Sequence, residues 1–242
     1  MLTVQDGEPL PHPCPEISKR TIPMAGILVD VYGLAELHSN PSGKVACLWL
    51  HHARTRRKET MGDFACRSVS AWNKRREELV PAPHSSSSDG DGKGKRPAAA
   101  ATGDRGLIAL AFDHRNHGTR LVDERANGAW RAGNERHATD MMGMISGMVE
   151  DTRGLMDVVE GYLLADHGGG EDEDKKGEEV VEMEVDMHLV CGKSLGGHSA
   201  WQMMFREERV EAGVIIVGCP DYMRECFSTF PFRDFTWTGV PC

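Results

Sequence analysis

Six short runs of apolar residues recur along the chain and predict the strands of a sheet. The first two, 17–22 and 27–34, are separated by Pro23 and Gly26, which predicts an antiparallel hairpin. The other four are apolar almost throughout, which is typical of parallel strands that are buried on both faces. They occupy residues 45–50, 107–112, 188–191 and 213–217.

Between these runs the apolar positions recur every three or four residues, which predicts helices. Residues 64–79 form one such stretch and residues 199–207 another. In the longest, the spacing continues unbroken through residue 163, so we expect one continuous helix there. Its predicted buried face holds Met141, Met144, Ile145, Met148, Thr152, Leu155, Val159 and Tyr162. A hairpin followed by alternating strands and helices predicts an α/β fold, with a mostly parallel sheet and helices on both faces.

Two segments have little to bury and are predicted to be disordered insertions in a single domain. Residues 81–105 are rich in Ser, Gly, Pro and Ala, and residues 166–186 begin with glycines and become acidic. The tract 171–186 holds nine carboxylates against two lysines, a balance of −7, so the rest of the chain accounts for only −2 of the net charge of −9. We therefore expect an N-terminal extension over 1–16 and one domain over 17–242.

Composition excludes several function classes. No basic stripe suggests nucleic-acid binding. The mean hydropathy is −0.42 and no apolar run reaches the roughly 18 residues of a spanning helix, so no membrane association is expected. Seven scattered cysteines without a C-x-x-C pair suit free thiols in a reducing compartment, and the N-terminus does not resemble a secretory signal. These features predict a cytoplasmic protein with no cofactor and no metal site.

The most informative motif joins a predicted strand to a predicted helix. Residues 187–198 read MHLVCGKSLGGH, so Ser194 is bracketed as G-x-S-x-G by Gly192 and Gly196. This is the sequence form of a nucleophile elbow, in which glycines let strand and helix pass closely at a strained serine. A rival interpretation is the end of a phosphate-binding loop, G-x-x-x-x-G-K-[ST]. Its first glycine would fall on Met187, inside the apolar run, and this disfavours it.

Three motifs together resemble the α/β-hydrolase superfamily over about residues 17–221. Residues 48–53 (LWLHHA) end a strand where the family carries His-Gly, although His52 stands here in place of the glycine. Residues 112–120 (FDHRNHGTR) are similar to the family's D-x-R-G-H-G-x-S segment. The serine motif follows in the expected order.

The resemblance implies a role for each matching residue. Ser194 becomes the nucleophile, with the backbone N–H groups of Leu195 and Ala53 as oxyanion donors. Asp113, Arg115 and His117 are expected to brace the loop after the fourth strand; the alternative, His114 and His117 as metal ligands, lacks an evident third ligand. Structural roles at the site fall to the remaining matches. They are Gly192, Gly196, Gly197, and the pocket-mouth residues His51 and His52, with His198 expected to pack along the helix.

The sequence departs from the family in its general base. A serine hydroxyl needs a base to take its proton, and the family supplies a histidine after the serine. No histidine follows His198 in this sequence, and Asp221 is the candidate acid, with a plain turn residue as the alternative. We therefore expect a fold whose last strands are missing and a serine hydrolase impaired toward its small-molecule ester, thioester or amide substrate. The alternatives are a non-catalytic binding or interaction protein of the same fold and the disfavoured nucleotide binder. The sequence does not indicate which protein partners, if any, the chain has.

Overall fold

The computed structural model describes residues 13–39, 43–79, 105–167 and 183–221. Within them, six strands form one sheet: β1 (Lys19–Met24), β2 (Ile27–Tyr32), β3 (Lys44–His51), β4 (Gly106–Ala111), β5 (Glu184–Lys193) and β6 (Val210–Ile216). Their order across the sheet is β1-β2-β4-β3-β5-β6. Strands β3 to β6 are mutually parallel, whereas β2 runs antiparallel to both β1 and β4.

The N-terminal hairpin closes through a two-residue turn in which both residues have positive φ. Ala25 has φ 47° and Gly26 has φ 81°. Such a turn twists in the same sense as the strands it joins, and glycine favours it because it lacks a Cβ. The resulting register places Ile22 opposite Val29, and both side chains are buried.

Four helices cover the two faces of the sheet: α1 (Gly62–Leu79), α2 (His137–Met156), α3 (Val159–His167) and α4 (Leu195–Arg206). The central strand β3 is buried on both sides and sends alternate residues to each face. Trp49 packs in the core shared with α2, α3 and α4, whereas Leu48 and Leu50 pack with α1. The predicted fold class is therefore confirmed, including the hairpin and the helices on both faces.

The predicted long helix is wrong in one respect, because it is two helices. It breaks at Asp157 and Val158, where the N–H of Val158 donates to Leu155 O (3.1 Å), three residues back, and tightens the turn. The Asp157 carboxylate is held by Arg209 at 2.7 Å. Neither glycine nor proline marks the break, and the buried spacing continues across it through Val159 and Leu163. The last helix also begins at Leu195, four residues earlier than predicted.

The predicted insertion 166–186 overlaps a helix and a strand at its two ends, so its predicted bounds are too wide. Helix α3 runs through His167, and β5 already begins at Glu184. Asp186 is ordered by a bidentate pair from Arg105, at 2.7 and 2.8 Å. Residues 168–182 of that insertion, residues 81–104 and all residues after Asp221 lie outside the described residues, so the prediction that the last strands are missing falls there too. None of the described helices combines the length and apolar character that a bilayer crossing requires.

Candidate active site

The carboxyl ends of three parallel strands meet at one edge of the sheet. Leu50 of β3 pairs with Ala111 of β4, and His51 pairs with Gly192 of β5. The loops that leave these strands therefore start side by side. They bring together Ala53, Asp113 and Ser194, which lie two, two and one residue beyond the ends of β3, β4 and β5.

Ser194 connects β5 directly to α4 in a strained conformation. Its φ is 56° and its ψ is −115°, a combination that a residue with a Cβ rarely adopts. The backbone N–H of Ser194 donates to Ile216 O on β6 at 2.9 Å, which fixes the turn between two strands. The side chain is half-buried and makes no hydrogen bond to the end of the helix. Since β5 runs straight through Met187 to Lys193, no loop is present to wrap a phosphate, and the nucleotide-binding interpretation has no structural basis.

The three glycines around the serine sit where the backbone itself leaves no room for a side chain. A Cβ on Gly192 would lie 2.8 Å from Gly197 N, and one on Gly196 would lie 2.7 Å from His52 O. A Cβ on Gly197 would collide with the carbonyl of Val217. Strand β5, helix α4 and the loops after β3 and β6 thus cross at van der Waals contact, which is the reason that this spacing of glycines is required.

Two backbone N–H groups at this crossing have no acceptor among the described residues. Leu195 is the first residue of α4, where helix geometry leaves the N–H without an internal partner. Ala53 lies just after β3, and its N–H likewise has no acceptor in the described part of the chain. The next N–H in the helix, that of Gly196, donates to His52 O at 3.1 Å and ties the two loops together.

The sequence predicted that His51 and His52 shape the mouth of a pocket. In the structure both side chains are fully buried instead. His51 bridges two hydroxyl groups, with Nε2 3.1 Å from Thr152 Oγ1 and Nδ1 2.8 Å from Ser199 Oγ. The Thr152 hydroxyl itself donates to Met148 O, so it accepts from the ring. The ring therefore holds α2 and α4 against the end of β3.

Backbone partners define the protonation of His52. Its Nδ1 lies 2.8 Å from Ala53 O and must donate, whereas its Nε2 receives the N–H of His114 at 2.9 Å and must accept. His114 Nε2 returns a hydrogen bond to His52 O at 3.0 Å, and its buried Nδ1 has no hydrogen-bond partner among the described residues. The neutral ring of His52 is therefore required by the fold.

His117 follows the same pattern in the loop after β4. Its Nδ1 donates to Arg115 O at 3.1 Å, and its Nε2 accepts from the N–H of Thr55 at 3.0 Å. The rings of His52, His114 and His117 pack edge to face or tilted, with centroids 4.5 to 5.9 Å apart. Among the described residues, no group of three or more His, Cys, Asp or Glu side chains is arranged to hold a metal ion.

Burial dominates the acid–base behaviour of this histidine cluster, which comprises His51, His52, His114 and His117. Burial lowers the pKa of His51 to about 3 and that of His52 to about 4. It also lowers the pKa of His114 well below its usual value, with the neighbouring rings adding to the effect, and it lowers the pKa of His117. At neutral pH all four rings are therefore uncharged.

Asp113 and Arg115 hold the loop after β4. The buried Asp113 carboxylate accepts from the N–H of Lys58 and from the N–H and hydroxyl of Thr119, each at 2.9 Å. Arg115 lies along α2 and pairs with Asp151 at 2.7 Å. A Cβ on Gly147 would collide with the Arg115 side chain, so this glycine makes room for it.

Three features together identify the fold: the strand order, the antiparallel hairpin and the serine turn after β5. In the α/β-hydrolases a strained serine turn lies at the end of a central strand, and an N–H from the loop after the third strand faces it. The loop that begins at Ala53 follows β3 in the same way. The chain has the α/β-hydrolase fold.

Comparisons with known proteins give matches only among solved structures. No protein-family model matches the sequence, and no curated protein sequence matches it. TT1662 from Thermus thermophilus is 15% identical over 84% of this chain and 57% of its own length, with a TM-score of 0.47. An esterase from an Arctic intertidal metagenomic library is 14% identical over 81% of this chain and 58% of its own, with a TM-score of 0.39. For dienelactone hydrolase from Anabaena variabilis the identity is 16%, the coverage 86% and 67%, and the TM-score 0.37. This hydrolase-fold chain thus spans less than two thirds of the first two structures.

His198 lies in the first turn of α4, and Asp221 lies in the loop after β6. His198 Nδ1 accepts from the N–H of Cys219 at 3.1 Å, so its ring is engaged by the loop after β6. Asp221 is exposed and is the last described residue. Neither side chain forms a hydrogen bond with Ser194.

Sequence reasoning missed Thr152 and Ser199 as partners of a buried histidine. Thr152 is the only hydroxyl-bearing residue on the otherwise apolar face of α2, and that was the available signal. A buried polar side chain needs a hydrogen-bond partner, so its position predicts a polar group facing it from the sheet. Which group would face it depended on the packing of α2 across β3.

Proposed function

We propose that this hydrolase-fold chain carries the nucleophile of a serine hydrolase, Ser194, and that its substrates are esters, thioesters or small amides. The observation that carries the proposal is the backbone of Ser194, a non-glycine residue at φ 56° between β5 and α4. Strain of this kind costs on the order of 1–3 kcal/mol and persists where the surrounding structure enforces it. Here three glycines enforce it, and the result is a half-buried hydroxyl with no hydrogen bond to the end of α4.

The N–H groups of Leu195 and Ala53 are our candidates for oxyanion donors. Attack on a carbonyl moves negative charge onto its oxygen, and preorganised N–H donors stabilise that charge without reorganising. Both groups lack an acceptor among the described residues, and the positive end of the α4 dipole lies at Leu195. An N–H already bonded to a carbonyl, such as that of Gly196, would not be available for this role.

A general base is not evident in the described part of the chain. No histidine ring there lies within hydrogen-bond distance of Ser194 Oγ, and His51, His52 and His117 already use both ring nitrogens. We therefore propose that the 242-residue chain acylates slowly, with the oxyanion donors supplying most of the rate enhancement that remains. Asp221 stays a candidate acid.

The same observation favours the second candidate, a non-catalytic binding or interaction protein that retains the hydrolase fold. The two candidates differ in what Ser194 does when an electrophile is present. A nucleophile facing oxyanion donors reacts faster than an ordinary serine even without a base. In a protein that only binds, Ser194 reacts no faster than any other half-buried serine.

A fluorophosphonate probe tests the proposal, because it forms a covalent bond to serine through a charged transition state. We expect slow labelling of the wild-type chain at Ser194, identified by peptide mass spectrometry, and none in Ser194→Ala. Ser70→Ala is the matched control and should label like wild type, since Ser70 is also half-buried but lies inside α1, away from the serine turn. Labelling that is equal in wild type and Ser194→Ala would refute the nucleophile. Fast, stoichiometric labelling would instead refute the impairment and show that some group supplies the base.

A further inference from the structure

The peptide bond between His52 and Ala53 carries one of the two candidate oxyanion donors, the N–H of Ala53. Its carbonyl oxygen, His52 O, accepts two hydrogen bonds, from Gly196 N–H at 3.1 Å and from His114 Nε2 at 3.0 Å. These bonds use both lone pairs of the oxygen, and they come from the first turn of α4 and from the loop after β4. The peptide is therefore held from two sides.

The two bonds to His52 O also set the direction of the Ala53 N–H. No peptide bond among the described residues is cis. In a planar trans peptide, the C=O and the N–H of the following residue point in opposite directions. One of the two donors, Gly196 N–H, belongs to the backbone. The other is the side chain of His114, so the orientation of this peptide depends on the residue at position 114.

His114 itself is fixed in place. Its backbone N–H donates to His52 Nε2 at 2.9 Å, so the two residues exchange hydrogen bonds in opposite directions. Its carbonyl accepts the N–H of His117 at 3.0 Å. The ring is fully buried and packs edge to face on the His52 ring, with centroids 4.5 Å apart. The Nε2–H group therefore has a defined position relative to His52 O.

The second ring nitrogen of His114 argues against a role in packing alone. Nδ1 carries a lone pair when Nε2 holds the proton, and this lone pair is buried with no hydrogen-bond partner among the described residues. A buried acceptor without a donor destabilises the folded state, and an apolar side chain would not carry that cost. The hydrogen bond from Nε2 to His52 O is thus the contribution that the histidine makes and an apolar residue could not.

We propose that His114 is a positioning residue, which fixes the direction of the Ala53 N–H through its Nε2–H bond to His52 O. Burial lowers the pKa of His114 well below its usual value, so at neutral pH the ring is uncharged and keeps a single N–H. The orientation of the peptide does not depend on any reaction. Its use in stabilising an oxyanion rests on the proposed function of Ser194.

Three substitutions at position 114 separate the hydrogen bond from the packing. His114→Gln places an amide nitrogen the same number of bonds from Cα as Nε2, so it retains the donor. His114→Asn carries the same amide one bond closer to the backbone, where it falls short of His52 O, and His114→Leu has no donor. In all three variants the backbone N–H at position 114 still donates to His52 Nε2, so only one hydrogen bond is changed.

Residual dipolar couplings of the weakly aligned, ¹⁵N-labelled chain measure the direction of the Ala53 N–H without any reaction at Ser194. We expect the Ala53 coupling to change in His114→Leu and His114→Asn and to match wild type in His114→Gln. The coupling of Ile108, in the middle of β4, should stay the same in all variants. An Ala53 coupling unchanged in the two variants that lack the donor would overturn the proposal, as would an equal change in His114→Gln. His114→Asn carries the same prediction as His114→Leu if the leucine variant does not fold.

Reaction with a fluorophosphonate connects the orientation of this N–H to the chemistry. Below the Tm of every variant, the limiting rate of Ser194 labelling should be similar in wild type and His114→Gln. It should be at least about tenfold lower in His114→Leu and His114→Asn, with the half-saturating probe concentration unchanged. A merely structural residue would lower the Tm and leave the limiting rate of the folded chain unchanged, and that result would overturn the proposal. If the Ala53 coupling changes as predicted but wild-type Ser194 is not labelled, the nucleophile is refuted and the positioning of the N–H by His114 is supported.

Discussion

Replacing Gly196 by alanine tests the close crossing on which the site depends. The added Cβ would lie 2.7 Å from His52 O and still closer to the carbonyl of His51, whereas Cβ atoms essentially never approach other atoms within 3.0 Å. Both obstacles are backbone atoms at the end of the central strand, so no side chain can rotate away. Either β3 or α4 must move, and the hydrogen bond from Gly196 N–H to His52 O (3.1 Å) must lengthen.

Overpacking of a well-packed core costs about 1–3 kcal/mol, and we expect Gly196→Ala to lie at the upper end, at about 3 kcal/mol. For a chain of this size, that corresponds to a fall in Tm of about 6–12 °C. Thermal unfolding followed by circular dichroism measures it. Gly196→Val should be worse, because the branched side chain enlarges the same clash.

Gly143→Ala is the matched control, and the predicted sign is opposite. Gly143 lies on the exposed side of α2, and a Cβ there would meet nothing within 4 Å. Because alanine is the better helix former, this substitution should stabilise the chain by about 0.5–1 kcal/mol. If Gly196→Ala had a Tm at or above that of wild type, as expected for Gly143→Ala, the crossing would be looser than described. The surrounding backbone would then not enforce the strained conformation of Ser194.

Two further predictions concern the polar groups beneath the site. Burial lowers the pKa of His51 to about 3 and that of His52 to about 4, whereas both have a pKa of about 6.5 in the unfolded chain. Below pH 6.5 the unfolded chain therefore binds more protons than the folded chain, so the stability is full above that pH and falls as the pH drops. At pH 5 each ring should cost about 2 kcal/mol, so urea midpoints should fall steeply between pH 7 and 5, and a flat profile would contradict the buried neutral rings. Asp113→Ala leaves two N–H groups and a hydroxyl without their acceptor and should cost about 3 kcal/mol in urea unfolding. Asp63→Ala, which removes a partly exposed pair with Arg67 and a contact with the Cys14 thiol, should cost less than about 1 kcal/mol, and equal losses in both variants would show that the Asp113 contacts do not matter.

Much of this architecture follows from local sequence, because each feature has a local physical cause. Gly192 and Gly196 bracket Ser194 at a spacing that few other structures require, so the turn could be predicted together with the strand before it. The hairpin at Gly26 and the buried run of β3 are equally local. The fold class follows from such elements in order.

The features that could not be predicted depend on contacts between distant parts of the chain. The break between α2 and α3 lies in a sequence with continuous apolar spacing. Arg209, the residue directly before β6, binds Asp157 at this break. Asp186 looked like part of an acidic loop, yet Arg105 orders it across the sheet. Burial of His51 depends on Thr152, a hundred residues later in the chain.

The histidine cluster was partly within reach of sequence reasoning. His51, His52, His114 and His117 follow the ends of two predicted neighbouring strands, and the ends of parallel strands meet at one edge of a sheet. Their proximity could therefore have been expected. Their burial could not, because it depends on how α2 and the loop at Thr55 cover them.

A crystal structure of the chain after reaction with a fluorophosphonate tests the central claim most directly, since the phosphonyl group stands in for the tetrahedral intermediate. We predict that phosphorus is bonded to Ser194 Oγ and that one phosphonyl oxygen accepts hydrogen bonds from the N–H groups of Leu195 and Ala53, at about 2.7–3.1 Å. A phosphonyl oxygen turned away from both N–H groups, or a Ser194 backbone relaxed to negative φ, would contradict the account.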